Sequence, residues 1–394
     1  MGHTLSKPVT CVQIERSKTN CLYGAYANMN GIRKNNEDAH VFYSHDDTYI
    51  NGVFDGHGGD KCAKFIADNL PKKIMEIGLK KDNIVEACIQ LDKKFFETHD
   101  NDSSGTTATF SIIKKKDDKY IVTVCNIGDS FTLVLKRNDE NINLSFTSKE
   151  HKPSEPIEEL RIREQGGVVI NNRINNGLAV SRAFGDKEYK MKGTDSFLSQ
   201  VIAIPDIEEF ECDEGDIIIH ICDGITERKP IDDIVKIISE NIDKHDDMAI
   251  LSSIVCLKAL ESGSADNLSC MILKLGDYSK QSYDSHDLVV GPFYNENPEF
   301  INAYRLACEY NGITFADALK KRLDLIEKFE KKYCSESEKE KEKENENEKE
   351  KSNLNVSMTE KFEDILLEME FIRPTNIEEE KKLILRYSER DVAT

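Results

Sequence analysis

Apolar positions in the first two-thirds of the chain fall into short runs that pair up. DAHVFYS (38–44) is followed by TYINGVF (48–54), and TTATFSII (106–113) by KYIVTVCN (119–126) and FTLVLK (131–136). Polar turns such as HDD and KKKDDK separate them, which predicts strands joined as hairpins. Between the hairpins, GDKCAKFIADNLPKKIMEIG (59–78) and DNIVEACIQLDKKFFETH (82–99) repeat apolar residues every three to four positions and predict helices. DIIIHIC (216–222) reads as a buried strand, PIDDIVKIISENI (230–242) and MAILSSIVCLKALES (248–262) as helices, and NLSCMILKL (267–275) as a closing strand. Hairpins with helices inserted in pairs are not the steady alternation of a parallel sheet. The class is α+β: a sandwich of two antiparallel β-sheets flanked by α-helices, with a C-terminal helical extension.

Residues 20–275 read as one folded unit after an N-terminal segment, 1–19. Residues 276–299 read as an irregular linker, and 300–332 as two amphipathic helical segments divided by Asn311-Gly312. Residues 333–355 are rich in Glu and Lys and hold almost nothing apolar to bury, so a solvated segment is expected. Residues 356–394 carry two further helical patterns, MTEKFEDILLEMEFI and IEEEKKLILRY, suited to packing on the preceding unit or on a partner.

Composition narrows the function. The net charge of the 394 residues is -20, about half of it after residue 275, which argues against a nucleic-acid-binding surface. No uninterrupted apolar stretch is long enough for a transmembrane helix, and MGHTLSKPVTC is too polar for a signal peptide. The 11 cysteines contain no CxxC pair, which fits small core residues in a reducing compartment better than a disulfide framework or a zinc ribbon.

The chemistry gathers at the ends of the predicted strands. VFDGHGGDK (53–61) places Asp55 and His57 on a glycine-rich turn. Alone, this is either an ordinary turn or a metal site in which Gly56 lets the backbone approach a cation. Further carboxylates and small polar residues stand in GIRKNNEDAH (31–40), SGTTATF (104–110), NIGDSF (126–131), CDGITE (222–227) and SADNLSC (264–270). Any single Asp among them reads as a cap or turn residue. Several crowded together would repel, and a hard divalent cation is the usual resolution, because oxygen ligands suit magnesium and manganese.

With EHKP (150–153) and GLAVSRAFGD (177–186), these segments form an ordered set that resembles the metal-dependent serine/threonine protein phosphatases of the PPM, or type 2C, family over about residues 20–275. The resemblance implies a phosphatase domain that binds two magnesium or manganese ions. Asp55 would bridge them, with the Gly56 carbonyl, Asp223 and Asp266 completing the inner ligands. Glu37 and Asp38 would support the cluster, and Asp129 with Asp223 would offer a third, weaker ion a place. Water shared by the two ions would attack phosphorus directly, His57 would be the general acid and Arg33 would grip the phosphate. Ser104 to Thr107 and Arg182 would be scaffold, and residues 187–204 a variable flap beside the site. Phe131, Glu150, Glu227 and Asn36 depart from residues common in the family, yet none removes an inner ligand.

The partners implied are phosphoprotein substrates. Two rival readings stay open: a catalytically weak or silent relative acting as a binding or regulatory module, and a metal-dependent hydrolase of non-protein phosphate esters. Met1 to Ser6 fits the MGxxxS pattern for N-myristoylation of Gly2, with Cys11 or Cys21 as the candidate second acyl site. The expected location is the cytoplasm, with peripheral membrane association through an acylated Gly2 and the nucleus both left open.

Overall fold

The computed structural model describes residues 4–138, 141–190, 197–280, 285–334, 363–367, 370 and 372–391. Strands β1 (Val12–Lys18) and β2 (Leu22–Met29) lead to β3 (Ala39–His45), β4 (Thr48–Phe54), β5 (Gly56–His57) and helices α1 (Lys61–Ile77) and α2 (Lys81–Thr98). Next come β6 (Gly105–Thr106), β7 (Ala108–Lys116), β8 (Lys119–Ile127), β9 (Phe131–Asn138) and β10 (Asn141–Thr147). Helix α3 (Pro156–Glu164) precedes β11 (Val169–Ile170), β12 (Arg173–Ile174), β13 (Phe184–Gly185), β14 (Asp206–Cys212) and β15 (Ile217–Ile221). Helices α4 (Asp223–Thr226), α5 (Ile231–Asn241) and α6 (Met248–Glu261) are followed by β16 (Leu268–Leu275) and β17 (His286–Val289). Helices α7 (Pro298–Tyr310), α8 (Phe315–Phe329) and α9 (Ile377–Asp391) come last.

The chain forms two compact units, a larger one of residues 17–26 and 36–281 and a smaller one of residues 1–16, 27–35 and 282–394. In the larger unit, one antiparallel sheet has the order β14-β8-β7-β4-β3, and the other runs β10-β9-β15-β16-β2. Side-chain hydrogen bonds join the two sheets: Thr107 to Ser130 at 2.7 Å, Thr109 to Thr132 at 2.7 Å and Ser111 to His220 at 2.9 Å. Helices α1 and α2 cover the first sheet. Ile66, Leu70, Ile74, Ile84, Leu91 and Phe95 pack with Ile50, Phe54, Phe110 and Ile127 in one apolar core. A strand with another sheet on one face and helices on the other has no face for water. Hence β4, β15 and most of β8 and β16 are buried at successive positions and do not alternate. Each large apolar side chain fully buried there contributes about 1.5–3 kcal/mol. Edge strand β14, DIEEFEC, keeps its glutamates outward, which protects an open edge from pairing with other chains.

Register brings several strand ends to one edge. Ala39 pairs with Phe54, Val53 with Thr109, and Ala108 with Ile127. In the other sheet Ile221 pairs with both Phe131 and Cys270. The chain crosses between sheets from β8 to β9 at that edge. The residues just outside these pairs are Asp38, Asp55, Asp129, Asp223 and Asp266 with its neighbour Asn267.

The smaller unit gathers segments that the sequence reading keeps apart, among them residues 27–35 from the stretch read as one folded unit over 20–275. Residues 276–299, expected as an irregular linker, contain β17, which pairs antiparallel with β1 from Val12↔Val289 to Glu15↔His286. Val289, Val290 and Phe293 are fully buried there. HDLVVGPF is too short an apolar run to show a period, so nothing local marks it as core. The same unit buries Val9, Cys11, Val12 and Ile14 from the N-terminal segment. Helices α8 and α9 are joined through Arg322, which donates from Nε to Glu380 Oε1 at 2.7 Å. Most of the Glu/Lys-rich segment and part of the first C-terminal helical pattern lie outside the described residues.

Candidate active site

Asp55 follows β4, and its backbone is held from below by the small-residue turn. Its N–H donates to Thr107 Oγ1 at 3.3 Å, while its carbonyl accepts from Thr107 N at 2.9 Å and Thr106 Oγ1 at 3.0 Å. Gly56 is obligatory. A Cβ there would lie 2.2 Å from the Glu37 carbonyl oxygen, so only glycine lets the two turns approach so closely. Gly224 plays the same part beside Asp223, where a Cβ would meet the Asn267 carbonyl oxygen at 2.0 Å. Asn267 then ties the segments together by accepting from Glu37 N at 3.0 Å.

The carboxylates of Asp38, Asp55, Asp129, Asp223 and Asp266 share one field. Burial pushes Asp55 well above the ordinary carboxylate range, and the charges of Asp223, Asp38, Asp266 and Asp129 add to it. Asp223 is raised by burial and then by Asp129 and Asp266. Asp38 is raised by burial, by Asp266 and by Glu37, against a lowering hydrogen bond from Ser269. Backbone N–H of Asp223 donates to Asp55 Oδ2 at 3.4 Å.

Local donors hold several of these groups. Ser269 Oγ donates to Asp38 Oδ2 at 2.5 Å, Asn267 N to Asp266 Oδ1 at 2.7 Å, and Lys152 Nζ to Asp129 Oδ2 at 2.5 Å. Among the described residues, no three His, Cys, Asp or Glu side chains form a closed metal cage. Asp38, Asp129 and Asp266 accept from these protein donors, and all five aspartates remain electrostatic neighbours.

His57 lies on β5 with its Nε2 2.8 Å from both carboxylate oxygens of Asp186. Burial pulls its pKa down, but the Asp186 charge and hydrogen bond, with Asp129 and Glu37, outweigh that and hold it above the ordinary value. Asp186 ends GLAVSRAFGD, a motif of which the sequence reading gives a role only to Arg182, and its position in the chain gives no sign of this contact. Lys152 is also missed as a site residue, although EHKP marks its neighbourhood. Preceding it, His151 accepts from Gly128 N at 3.1 Å and fixes the turn that carries Asp129.

Arg182 is scaffold: it donates to Glu158 from Nε at 3.0 Å and Nη2 at 2.7 Å, and to Asp206 at 2.9 Å. Glu227 braces the Asp266 loop, accepting from Ala265 N at 2.8 Å and Ser264 Oγ at 3.2 Å. Asn36 accepts from Asp38 N at 3.1 Å. Arg33 lies in the smaller unit, half-buried, with its N–H on the Asn30 carbonyl at 3.2 Å. Cys11 and Cys21 are buried, which removes both as ready acylation sites. Gly2 and residues 191–196 of the expected flap lie outside the described residues.

Residues 24–268 match the family model described as protein phosphatase 2C. The chain is 32% identical over 296 residues to protein phosphatase 2C homolog 2 of Schizosaccharomyces pombe, spanning 69% of this chain and 78% of that one. It is 30% identical over 298 residues to human protein phosphatase 1A, spanning 69% and 76%. Among solved structures, a phosphatase from a pathogenic strain of Toxoplasma gondii has the same fold. Its TM-score is 0.63 at 23% identity, covering 71% of this chain and 98% of that one.

Proposed function

The chain belongs to the protein phosphatase 2C family, and from that premise we propose that it hydrolyses phosphoserine and phosphothreonine in phosphoproteins by direct attack of water, with magnesium or manganese in the acidic cluster. One observation carries the reading: five buried or half-buried aspartates from separate strand ends lie in one another's field, at one edge of the sandwich.

The donor chemistry fits such ions. The groups are oxygen donors only, and crowding makes their anionic state costly without added positive charge. Asp55, the Gly56 carbonyl, Asp223 and Asp266 would hold a pair of ions, with Glu37 and Asp38 in support. Bound there, two divalent ions supply a water of lowered pKa and polarise the phosphoryl oxygens. A third ion at Asp129 would have to compete with the Lys152 ammonium already on that carboxylate.

The protein's own residues do the rest. Thr106 and Thr107 hold Asp55 in place through its backbone. The leaving serine or threonine oxygen is a strong base and needs a proton, and His57 is the group that would supply it. No phospho-enzyme is required, so the buried cysteines take no part.

The test is purified full-length protein with manganese, assayed on a phosphothreonine peptide, a small phosphate ester and single-stranded DNA. Preferred hydrolysis of the peptide, lost in Asp55→Asn, supports the reading. No turnover by a folded protein that binds manganese calorimetrically points to a silent module. Preference for either of the other substrates points to a non-protein ester hydrolase.

A further inference from the structure

We propose that Asp186 is the positioning residue for His57: its carboxylate reaches over Gly105, engages Nε2–H, and leaves Nδ1 as the ring nitrogen that carries the transferable proton. This rests on His57 acting as general acid.

The geometry is built by three two-residue strands in the order β13-β6-β5. Gly105, in the middle, pairs with His57 on one side and Gly185 on the other. The side chains of His57 and Asp186 meet above its Cα. A Cβ on residue 105 would lie 2.2 Å from Asp186 Oδ2 and 2.4 Å from His57 Nε2. Glycine at 105 is therefore a condition of the contact.

Asp186 is held in place several times over. Its backbone is left-handed, at φ 54 and ψ 49, a conformation that Asp tolerates better than most side chains. Its N–H donates to the Ser104 carbonyl at 3.2 Å, and its own carbonyl accepts from Tyr189 N at 2.9 Å. One residue earlier, Gly185 N donates to Asp92 Oδ1 at 2.8 Å, and Asp92 is paired with Lys190 at 2.7 Å. The Asp186 side chain is only 5% exposed, whereas that of His57 is 31% exposed. A fixed, buried acceptor thus orients a ring that remains open to solvent and substrate.

The proton balance is simple. As water oxygen bonds to phosphorus, the phosphorus–oxygen bond to serine or threonine breaks and its electron pair goes to the leaving oxygen. That oxygen takes the Nδ1 proton, and His57 is left neutral with Nε2–H still on Asp186. Water's own proton is lost to solvent, and solvent later reprotonates Nδ1.

The experiment compares the parent with His57→Ala, Asp186→Asn and Gly105→Ala in magnesium. Rates are measured on a phosphothreonine peptide and on p-nitrophenyl phosphate, whose leaving group needs little protonation. Ring nitrogen shifts are read from 15N-histidine-labelled protein, with the His57 signals identified by their loss in His57→Ala. Both Asp186→Asn and Gly105→Ala should slow the peptide about tenfold or more while changing the aryl ester far less. They should also shift the His57 nitrogens and leave the other histidine signals in place. If His57→Ala slows both esters equally, the general-acid reading fails. If His57→Ala discriminates between esters but neither other variant moves the rate ratio or the His57 signals, the role of Asp186 is refuted. Should Asp186→Asn disturb all the histidine signals, Gly105→Ala decides between those outcomes.

Discussion

Lys152 donates from Nζ to Asp129 Oδ2 at 2.5 Å, so the carboxylate at the crossing from β8 to β9 carries a protein cation of its own. Asp223 and Glu150 also act on that ammonium. Replacing Lys152 with Met leaves Asp129 and its acidic neighbours less compensated. The gain in melting temperature on adding manganese should therefore be larger for Lys152→Met than for the parent, by several degrees. Calorimetric scans with and without the ion measure it. Equal gains would mean that Lys152 contributes no compensating charge.

His220 gives the larger unit a pH dependence. It is fully buried between Ser111 Oγ, 2.9 Å from Nε2, and Thr132 Oγ1, 2.8 Å from Nδ1. Burial pulls its pKa from 6.5 down to about 3. Between those values the unfolded chain holds a proton that the folded chain lacks. The stabilisation is complete above about pH 6.5 and is lost as pH falls toward 3, by about 1.4 kcal/mol per pH unit. Urea unfolding at pH 7.5 and pH 5 should show a smaller decline for His220→Gln than for the parent. The same decline in both proteins would rule out His220 as its source.

The smaller unit hinges on a buried ion pair. Arg322 is fully buried and donates to Glu380 at 2.7 and 3.3 Å and to the Ile372 carbonyl at 2.8 Å. Glu380 Oε1 also accepts from Phe293 N at 2.7 Å. Glu380→Leu strands a guanidinium in an apolar interior and should cost about 3–5 kcal/mol. Adding Arg322→Met should recover part of the loss, since no lone charge is then buried although the Phe293 N–H and the Ile372 carbonyl lose these partners. Hydrogen exchange across α8, with urea unfolding, reports both variants. A double variant as unstable as the sum of the singles would contradict this account.

The N-terminal pattern makes a separate forecast. If Gly2 carries a myristoyl chain, attachment is weak and reversible, because one such chain binds membranes marginally. With Cys11 and Cys21 both buried, neither thiol is placed to supply a second anchor. Membrane fractionation in cells should show a minor bound fraction that disappears in Gly2→Ala. A fraction unchanged by that substitution would remove the acylation reading.

What the sequence determines by itself is local and repetitive. Hairpin pairs, helices at three-to-four spacing, and turns with glycine beside aspartate are visible because each is written within some twenty residues. The ordered motifs bring the family, and with it the aspartates as site candidates. Tertiary structure alone decides which atoms meet. Asp186 reaches His57 across 129 residues of chain, through two-residue strands too short to show a period and over a glycine whose missing side chain is the whole device. Lys152 finds Asp129, and β17 finds β1, for the same reason: pairing and proton ownership depend on register and side-chain direction, and neither is encoded in local spacing.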